Sequence, residues 1–284
     1  MCMKSNREKN IINQGIVLCT EHFGQSEHPA ILLIGGATVS MLYWHEEFCS
    51  KLANLGFFVI RYDQRDVGKS TGYTPGSIAY NIDDLTDDAI QVLDGYQIKK
   101  AHILGISLGG LIAQIITVKY PARVNALLLM ATGPWGTPDP AIPPMDQRVI
   151  DFQLASDHID WANEQQVVDY LLKGSELMSG RKPLDRSMEQ ERIRAEFHRA
   201  RRYKSMFNHS LLQGGADYYD RLNEIKHPTL IIHGTDDNIW PFGHTVKLLA
   251  EIKDAKLLKL EGTGHELHPD DWDDIIQALD NFLK

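Results

Sequence analysis

The first chemical feature of the chain is a serine, Ser107, in the glycine-flanked segment GISLG of residues 105–109. A serine hydroxyl is a weak nucleophile at neutral pH, so it needs an adjacent general base and donors for an oxyanion. Apolar residues precede this segment and an apolar run begins at Leu111, which predicts a strand, a tight turn and a helix. Small flanking residues suit a serine held in a strained turn. The pattern therefore predicts a nucleophilic serine between strand and helix.

A carboxylate and an imidazole follow the last two predicted strands. Asp236 and Asp237 come after the apolar residues 229–233, and His265 follows residues 255–260 with Gly264 before it. His268 is the weaker candidate base, because no glycine precedes it and Pro269 follows it. The order serine, aspartate, histidine is that of one fold of serine hydrolases.

The elements that must position these residues alternate along the chain. Apolar patterning predicts edge strands before Phe23, buried strands at residues 30–34, 57–61 and 126–131, and helices at residues 41–55 and 78–96. Such alternation with short links predicts a parallel sheet covered by helices on both faces.

The alternation is interrupted between residues 133 and 215, where several prolines lead into helical patterns at residues 147–154, 163–178 and 188–206. We predict a helical insertion there, above the carboxyl ends of the strands, where open sheets bind ligands. The last of these helices is basic, and we interpret its charges as a solvated face, with Ile193, Phe197 and Ala200 turned inward. Its cationic residues are Arg192, Arg194, Arg199, Arg201, Arg202 and Lys204.

Composition excludes several classes of function. The 284 residues carry a net charge of −9, which argues against a nucleic-acid or anionic-membrane binder. The polar N-terminus MCMKSNREKN indicates no secretory signal, and no apolar run is long enough for a membrane span. Cys2, Cys19 and Cys49 do not form a disulfide framework, so we expect a reducing cytoplasm.

Two sequence patterns resemble a nucleotide-binding loop and a metal site, but their details favour neither. Gly68-Lys69-Ser70 has Asp63 where a phosphate-binding loop needs a glycine, so we interpret the segment RYDQRDVGKS as a connecting loop with internal arginine and aspartate hydrogen bonds. The clustered Asp83, Asp84, Asp87 and Asp88 favour a mostly solvated helix start over a metal site. We expect neither metal nor cofactor.

Three stretches carry a family resemblance: RYDQRDVGKST, VLDGYQIKKAHILGISLGG and EGTGHELHP. With them the chain resembles the α/β-hydrolase superfamily, and within it the aclacinomycin methylesterase group. The resemblance implies a mostly parallel eight-stranded sheet with helices on both faces and an inserted helical cap. The core would comprise residues 1–132 and 216–284, and the cap residues 133–215.

The resemblance also implies a role for each site residue. Ser107 is the nucleophile, His265 the general base and Asp237 the acid, because the family pattern places a proline four residues after the acid and Pro241 fits Asp237. The oxyanion hole would be the backbone N–H of Leu108 with that of Gly36, or of Ala37 if the register differs by one. Candidate pocket residues are Ala37, Trp135, Phe152 and Trp240.

The expected activity is two-step cleavage of a small, largely apolar carboxylic ester by a monomer or homodimer. The same residues could instead support C–C bond hydrolysis, lactone opening, perhydrolysis or acyl transfer. A ligand-binding receptor built on a hydrolase scaffold is the non-catalytic alternative.

Overall fold

A computed structural model describes residues 7–284, so Cys2 and most of the polar N-terminal stretch lie outside the described residues. Its centre is one eight-stranded sheet in the order β1-β2-β4-β3-β5-β6-β7-β8. The strands are β1 Glu8–Asn13, β2 Ile16–Phe23, β3 Ala30–Ile34, β4 Phe58–Tyr62, β5 Ala101–Ile106, β6 Val124–Met130, β7 Thr229–Gly234 and β8 Lys256–Leu260. Apart from the antiparallel pairs β1–β2 and β2–β4, neighbouring strands are parallel. The predicted fold class is confirmed.

The central strands are apolar runs because both of their faces are covered. All residues of β3, β4 and β5 are buried, and alternate side chains join two separate apolar clusters, one on each side of the sheet. Such continuous apolar strands are typical of parallel sheets. The helices are α1 Glu46–Asn54, α2 Ile82–Gly95, α3 Leu108–Lys119, α4 Gln147–Leu154, α5 Glu164–Met178, α6 Arg186–Arg199, α7 Gly243–Glu251 and α8 Trp272–Leu283.

Two predicted helix starts are wrong. Residues 41–55 divide into a 3₁₀ turn, Met41–Tyr43, and α1, because the carbonyl of Trp44 accepts a hydrogen bond from the Arg61 side chain and does not continue a helix. Helix α2 begins at Ile82 and not at Ile78, since Asn81 and Asp84 form a reciprocal capping box.

An inserted segment, residues 131–228, joins β6 to β7 and contains α4, α5 and α6. The predicted helix at 188–206 is too long: α6 ends at Arg199, and a 3₁₀ segment, Tyr203–Leu211, follows. The backbone turns away because the Arg201 N–H donates to the carbonyl of Gly68, in the loop after β4, at 3.0 Å.

The interpretation of α6 as a solvated basic face is wrong for two of its arginines. The Arg192 side chain, only 9% exposed, lies between Glu189 and Glu196, at 2.6 and 2.9 Å. Arg199 pairs with Asp63, whose side chain is fully buried. Ile193 points inward as predicted. Two arginines of the helix, seven residues apart, therefore bind acidic groups away from solvent.

The loop after β4 also differs from its interpretation. Its aspartates do bond locally, since Lys69 N donates to Asp63 Oδ2 at 2.9 Å. Arg65, however, pairs with Asp88 on α2, at 2.7 Å, and both side chains are buried. Arg65 thus joins the loop to a helix.

In the part of the chain that the structure describes, residues 7–284, none of the helices has both the length and the apolar character that a membrane span requires.

Candidate active site

Ser107 lies in the turn between β5 and α3 with φ 54° and ψ −120°. Positive φ is uncommon for a residue with a side chain and stores about 1–3 kcal/mol of strain. Neighbouring backbone holds the turn: Ser107 N donates to the Met130 carbonyl at 3.0 Å, and the Ser107 carbonyl accepts from Thr132 Oγ1 at 2.9 Å. The serine is therefore presented on a rigid turn at the N-terminus of α3.

The glycines beside Ser107 permit two close backbone approaches. A Cβ on Gly105 would lie 2.0 Å from the Gly109 carbonyl oxygen, and one on Gly109 would lie 2.3 Å from the Ile34 oxygen. With a larger residue at Gly105, strand β5 could not pack so closely against helix α3. With a larger residue at Gly109, helix α3 could not pack so closely against strand β3. The GISLG spacing is thus a packing requirement of the turn.

Asp237 and His265 meet at the ends of the last two strands. Asp237 follows β7, His265 follows β8, and Asp237 Oδ2 lies 2.9 Å from His265 Nδ1. The other carboxylate oxygen accepts from Ile239 N at 2.9 Å and Trp240 N at 2.8 Å. The Asp237 side chain is fully buried, whereas that of His265 is 12% exposed. This arrangement fixes the proton of His265 on Nδ1 and leaves Nε2 free to act as a base.

The charge of Asp237 is stabilised against its burial. Desolvation by itself raises the pKa of this carboxyl, but the charge and hydrogen bond of His265 outweigh it, so the pKa lies below its ordinary value. A second histidine, the buried His233, lies near this carboxylate. Its Nε2 is 3.5 Å from Asp237 Oδ2 and 2.7 Å from the Trp240 carbonyl oxygen. Burial lowers the pKa of His233 from its ordinary value, although the neighbouring Asp237 carboxylate opposes this shift.

Ser107 and the Asp237–His265 pair share one edge of the sheet, because β5, β7 and β8 are parallel and end there. Ser107 Oγ has no hydrogen-bond partner within residues 7–284. Hydrogen bonds between catalytic groups are commonly long before substrate binds and shorten in its complex.

The loop after β3 runs beside Ser107. A Cβ on Gly36 would lie 3.3 Å from the Ser107 Cβ and 3.9 Å from its Oγ, which shows how close the loop comes. In the described part of the chain, the N–H groups of Gly36, Ala37 and Leu108 donate to no acceptor. Free N–H groups beside a serine are the donors that an oxyanion requires.

The four candidate pocket residues have different surroundings. Ala37 is exposed next to Gly36. Trp240 follows Asp237 and packs edge-on against His244, with ring centroids 4.8 Å apart. Trp135 binds the Gly215 carbonyl through Nε1 at 2.9 Å, and Phe152 stacks on Tyr170 of α5 at 4.3 Å. Trp135 and Phe152 thus have packing partners of their own within the inserted segment.

Sequence reasoning missed the residues that support these loops. Gln64 Nε2 donates to the carbonyls of Gly35 and Gly36, at 2.9 and 3.3 Å, and Glu196 accepts from Ser40 N at 3.1 Å. Met178, at the end of α5, accepts from His265 N at 2.8 Å. No local pattern marks such residues, since their partners are far away in the sequence.

Among residues 7–284, no cluster of His, Cys, Asp or Glu could hold a metal ion.

Comparison with known proteins agrees with this geometry. Residues 29–271 match the family model described as the alpha/beta hydrolase fold. The chain belongs to this family. The match spans the sheet from β3 onward together with the whole inserted segment.

Similar members of the α/β-hydrolase family include two methylesterases. Rhodomycin D methylesterases of Streptomyces sp. strain C5 and Streptomyces peucetius are 29% and 28% identical to this chain over 272 residues, which is 90% of this chain and 91% of each relative. The predicted resemblance is confirmed. A solved esterase from Exiguobacterium antarcticum is similar in fold, with a TM-score of 0.76 and 20% identity over 96% of this chain and 98% of the other.

Proposed function

We propose that this α/β hydrolase cleaves carboxylic esters through an acyl-enzyme formed on Ser107. The observation that carries the proposal is the Asp237–His265 pair, 2.9 Å apart, at the sheet edge where the strained Ser107 turn also lies. Family membership and the two methylesterase relatives support a hydrolase that acts on ester bonds.

In the first half-reaction, Ser107 Oγ attacks the ester carbonyl carbon while His265 Nε2 takes the hydroxyl proton. Asp237 stabilises the resulting imidazolium through Nδ1. The carbonyl oxygen becomes an oxyanion bound by the N–H of Leu108 and that of Gly36 or Ala37, each donor contributing about 3 kcal/mol to the transition state. The alcohol leaves with the proton from His265.

In the second half-reaction, a water molecule gives its proton to His265 and its oxygen attacks the acyl carbon. The same N–H groups bind the second oxyanion, and its collapse returns the proton to Ser107 Oγ and releases the acid. The protons balance over the two half-reactions with Ser107, His265 and Asp237 alone.

We propose that residues 133–215 form a helical cap over this edge of the sheet and that residues 1–132 and 216–284 form the core. Helices α4, α5 and α6 within that range support the division. The hydrogen bonds from His265 N to α5 and from Ser40 N to α6 support a cap that packs against the loops carrying these two residues. A reducing cytoplasm is the compartment we propose, consistent with the buried free thiols of Cys19 and Cys49.

The test is covalent labelling with a fluorophosphonate, followed by peptide mass spectrometry and by hydrolysis of p-nitrophenyl acetate and a methyl ester. We expect wild type to be labelled at Ser107 alone and to release both products, and Ser107→Ala to do neither while its melting temperature stays within a few degrees. Labelling elsewhere, or turnover that survives Ser107→Ala, would contradict the proposal. Tight ligand binding without labelling or turnover would favour the receptor alternative.

A further inference from the structure

The loop between β3 and the Met41–Tyr43 turn, which we call the oxyanion loop (residues 35–40), contains a strained residue. Thr38 has φ 65°. For a β-branched residue this conformation is an outlier and costs about 1–3 kcal/mol, so it persists only if its surroundings hold it. The strain lies two residues after Gly36, the proposed oxyanion donor. The contacts that hold Thr38 therefore also hold the donor.

One such contact comes from His209. Thr38 N donates to His209 Nδ1 at 3.0 Å, and His209 Nε2 lies 2.8 Å from the Arg65 carbonyl oxygen. A backbone N–H can only donate and a carbonyl can only accept, so both contacts require a neutral ring with its proton on Nε2. His209 is 5% exposed, which disfavours the charged form. The surroundings thus select a single tautomer.

Two other side chains bind the same loop. Glu196 Oε1 accepts from Ser40 N at 3.1 Å and from Ser40 Oγ at 2.8 Å. Gln64 anchors the carbonyls of Gly35 and Gly36. In a trans peptide the N–H points opposite to the C=O, so the next N–H groups, those of Gly36 and Ala37, are turned away from Gln64 and stay free. These contacts bind the Gly35 and Gly36 carbonyls and the N–H groups of Thr38 and Ser40, and they leave the two candidate donors free.

His209 belongs to the inserted segment, 171 residues from Thr38 in the sequence. We propose that His209 is a positioning residue that holds the oxyanion loop in its donor-presenting conformation, so that docking of the inserted segment completes the oxyanion hole. This inference rests on the proposed ester hydrolysis. It assigns His209 no contact with substrate.

The sharpest test compares two substitutions that each keep half of the histidine's bonding. In His209→Asn the amide oxygen can take the place of Nδ1 and accept from Thr38 N, whereas in His209→Gln the amide nitrogen can take the place of Nε2 and bind only the Arg65 carbonyl. We expect His209→Gln to lower kcat for p-nitrophenyl acetate at least about tenfold with little change in KM, because a misplaced donor weakens transition-state binding alone. His209→Asn should stay within about threefold of wild type.

Stability controls separate positioning from general damage. The two His209 variants should melt at similar temperatures. A further control is His102, a buried histidine at the end of β5 opposite to Ser107: His102→Gln should lower the melting temperature without lowering kcat. Equal kcat in His209→Asn and His209→Gln would overturn the inference while leaving Ser107 labelling, and thus the proposed function, intact.

A readout independent of turnover is amide hydrogen exchange in peptides that span residues 35–43. We expect faster exchange there in His209→Gln than in wild type and His209→Asn. Unchanged exchange in His209→Gln would refute the positioning role even if the wild type proved inactive toward esters.

Discussion

At the scale of single residues, Asp236 and Asp237 are neighbours in the chain but have different partners. The Asp237 side chain is fully buried against His265, while that of Asp236 is 22% exposed and pairs with Arg181 at 2.7 Å. Thr235 Oγ1 also donates to Asp236. The structure thus gives each carboxylate a separate role, one toward the candidate base and one at the surface.

The two aspartates make a matched pair of variants. Asp237→Asn should lower kcat about 10³–10⁴-fold, because the amide no longer fixes the His265 tautomer or stabilises the imidazolium. Asp236→Asn should change kcat less than about threefold, since it removes an exposed ion pair worth at most about 1 kcal/mol. Steady-state kinetics with p-nitrophenyl acetate measures both. A larger loss in Asp236→Asn than in Asp237→Asn would reverse the assignment of the acid.

At the scale of elements, α6 is joined to the sheet core by a buried ion pair. Arg199, with a 9% exposed side chain, contacts the fully buried Asp63, and Asp63 also accepts from Met41 N at 2.9 Å. Removal of one partner leaves an uncompensated buried charge, which costs far more than the pair contributes. The helix therefore depends on Arg199 for its docking.

Arg199→Met should lower the free energy of unfolding by about 3–5 kcal/mol, because Asp63 would stay buried without its cationic partner. Arg194→Met on the same helix is the control: its side chain is 47% exposed, so its loss should change stability by less than about 0.5 kcal/mol. Urea denaturation of both variants measures the difference. Equal stability of the two variants would show that the Arg199–Asp63 pair does not hold α6.

At the scale of the whole molecule, several buried or half-buried histidines have pKa values that burial lowers. Burial lowers the pKa of His22, His45, His102, His209, His233 and His244. For His45, burial and the neighbouring charge of Arg192 lower the pKa to about 4 from an ordinary value of 6.5. Its ring packs against Trp272 with centroids 5.2 Å apart. Acid should therefore oppose folding at these sites.

His45→Phe tests this linkage at one site, because phenylalanine keeps the ring contact and removes the titration. Between pH 6.5 and about 4 the unfolded chain binds a proton at His45 that the folded chain does not. The contribution of the uncharged His45 to the free energy of unfolding is therefore complete above pH 6.5. It is lost as the pH falls toward 4, at no more than about 1.4 kcal/mol per pH unit.

Urea unfolding at pH 7.5, 6 and 5 should therefore show wild type losing stability relative to His45→Phe as the solution becomes more acidic. A constant difference between the two proteins across this range would mean that His45 has an ordinary pKa in the folded state.

The sequence by itself determined the architecture and the residue types of the site. Continuous apolar runs such as residues 30–34 predict buried parallel strands because a strand covered on both faces must be apolar throughout. The glycines around Ser107 follow from the close packing of β5, α3 and β3. Helix ends were less predictable, since capping by Asn81 and the diversion of the Trp44 carbonyl depend on single hydrogen bonds.

Only the tertiary structure decided which partners these residues have. The contact of Arg199 with Asp63 and that of His209 with Thr38 join segments that are distant in sequence. Local patterning reports the average environment of a segment. It carries no information on which distant polar group completes a buried hydrogen bond, and at this site those bonds hold the oxyanion loop and the acid–histidine pair in place.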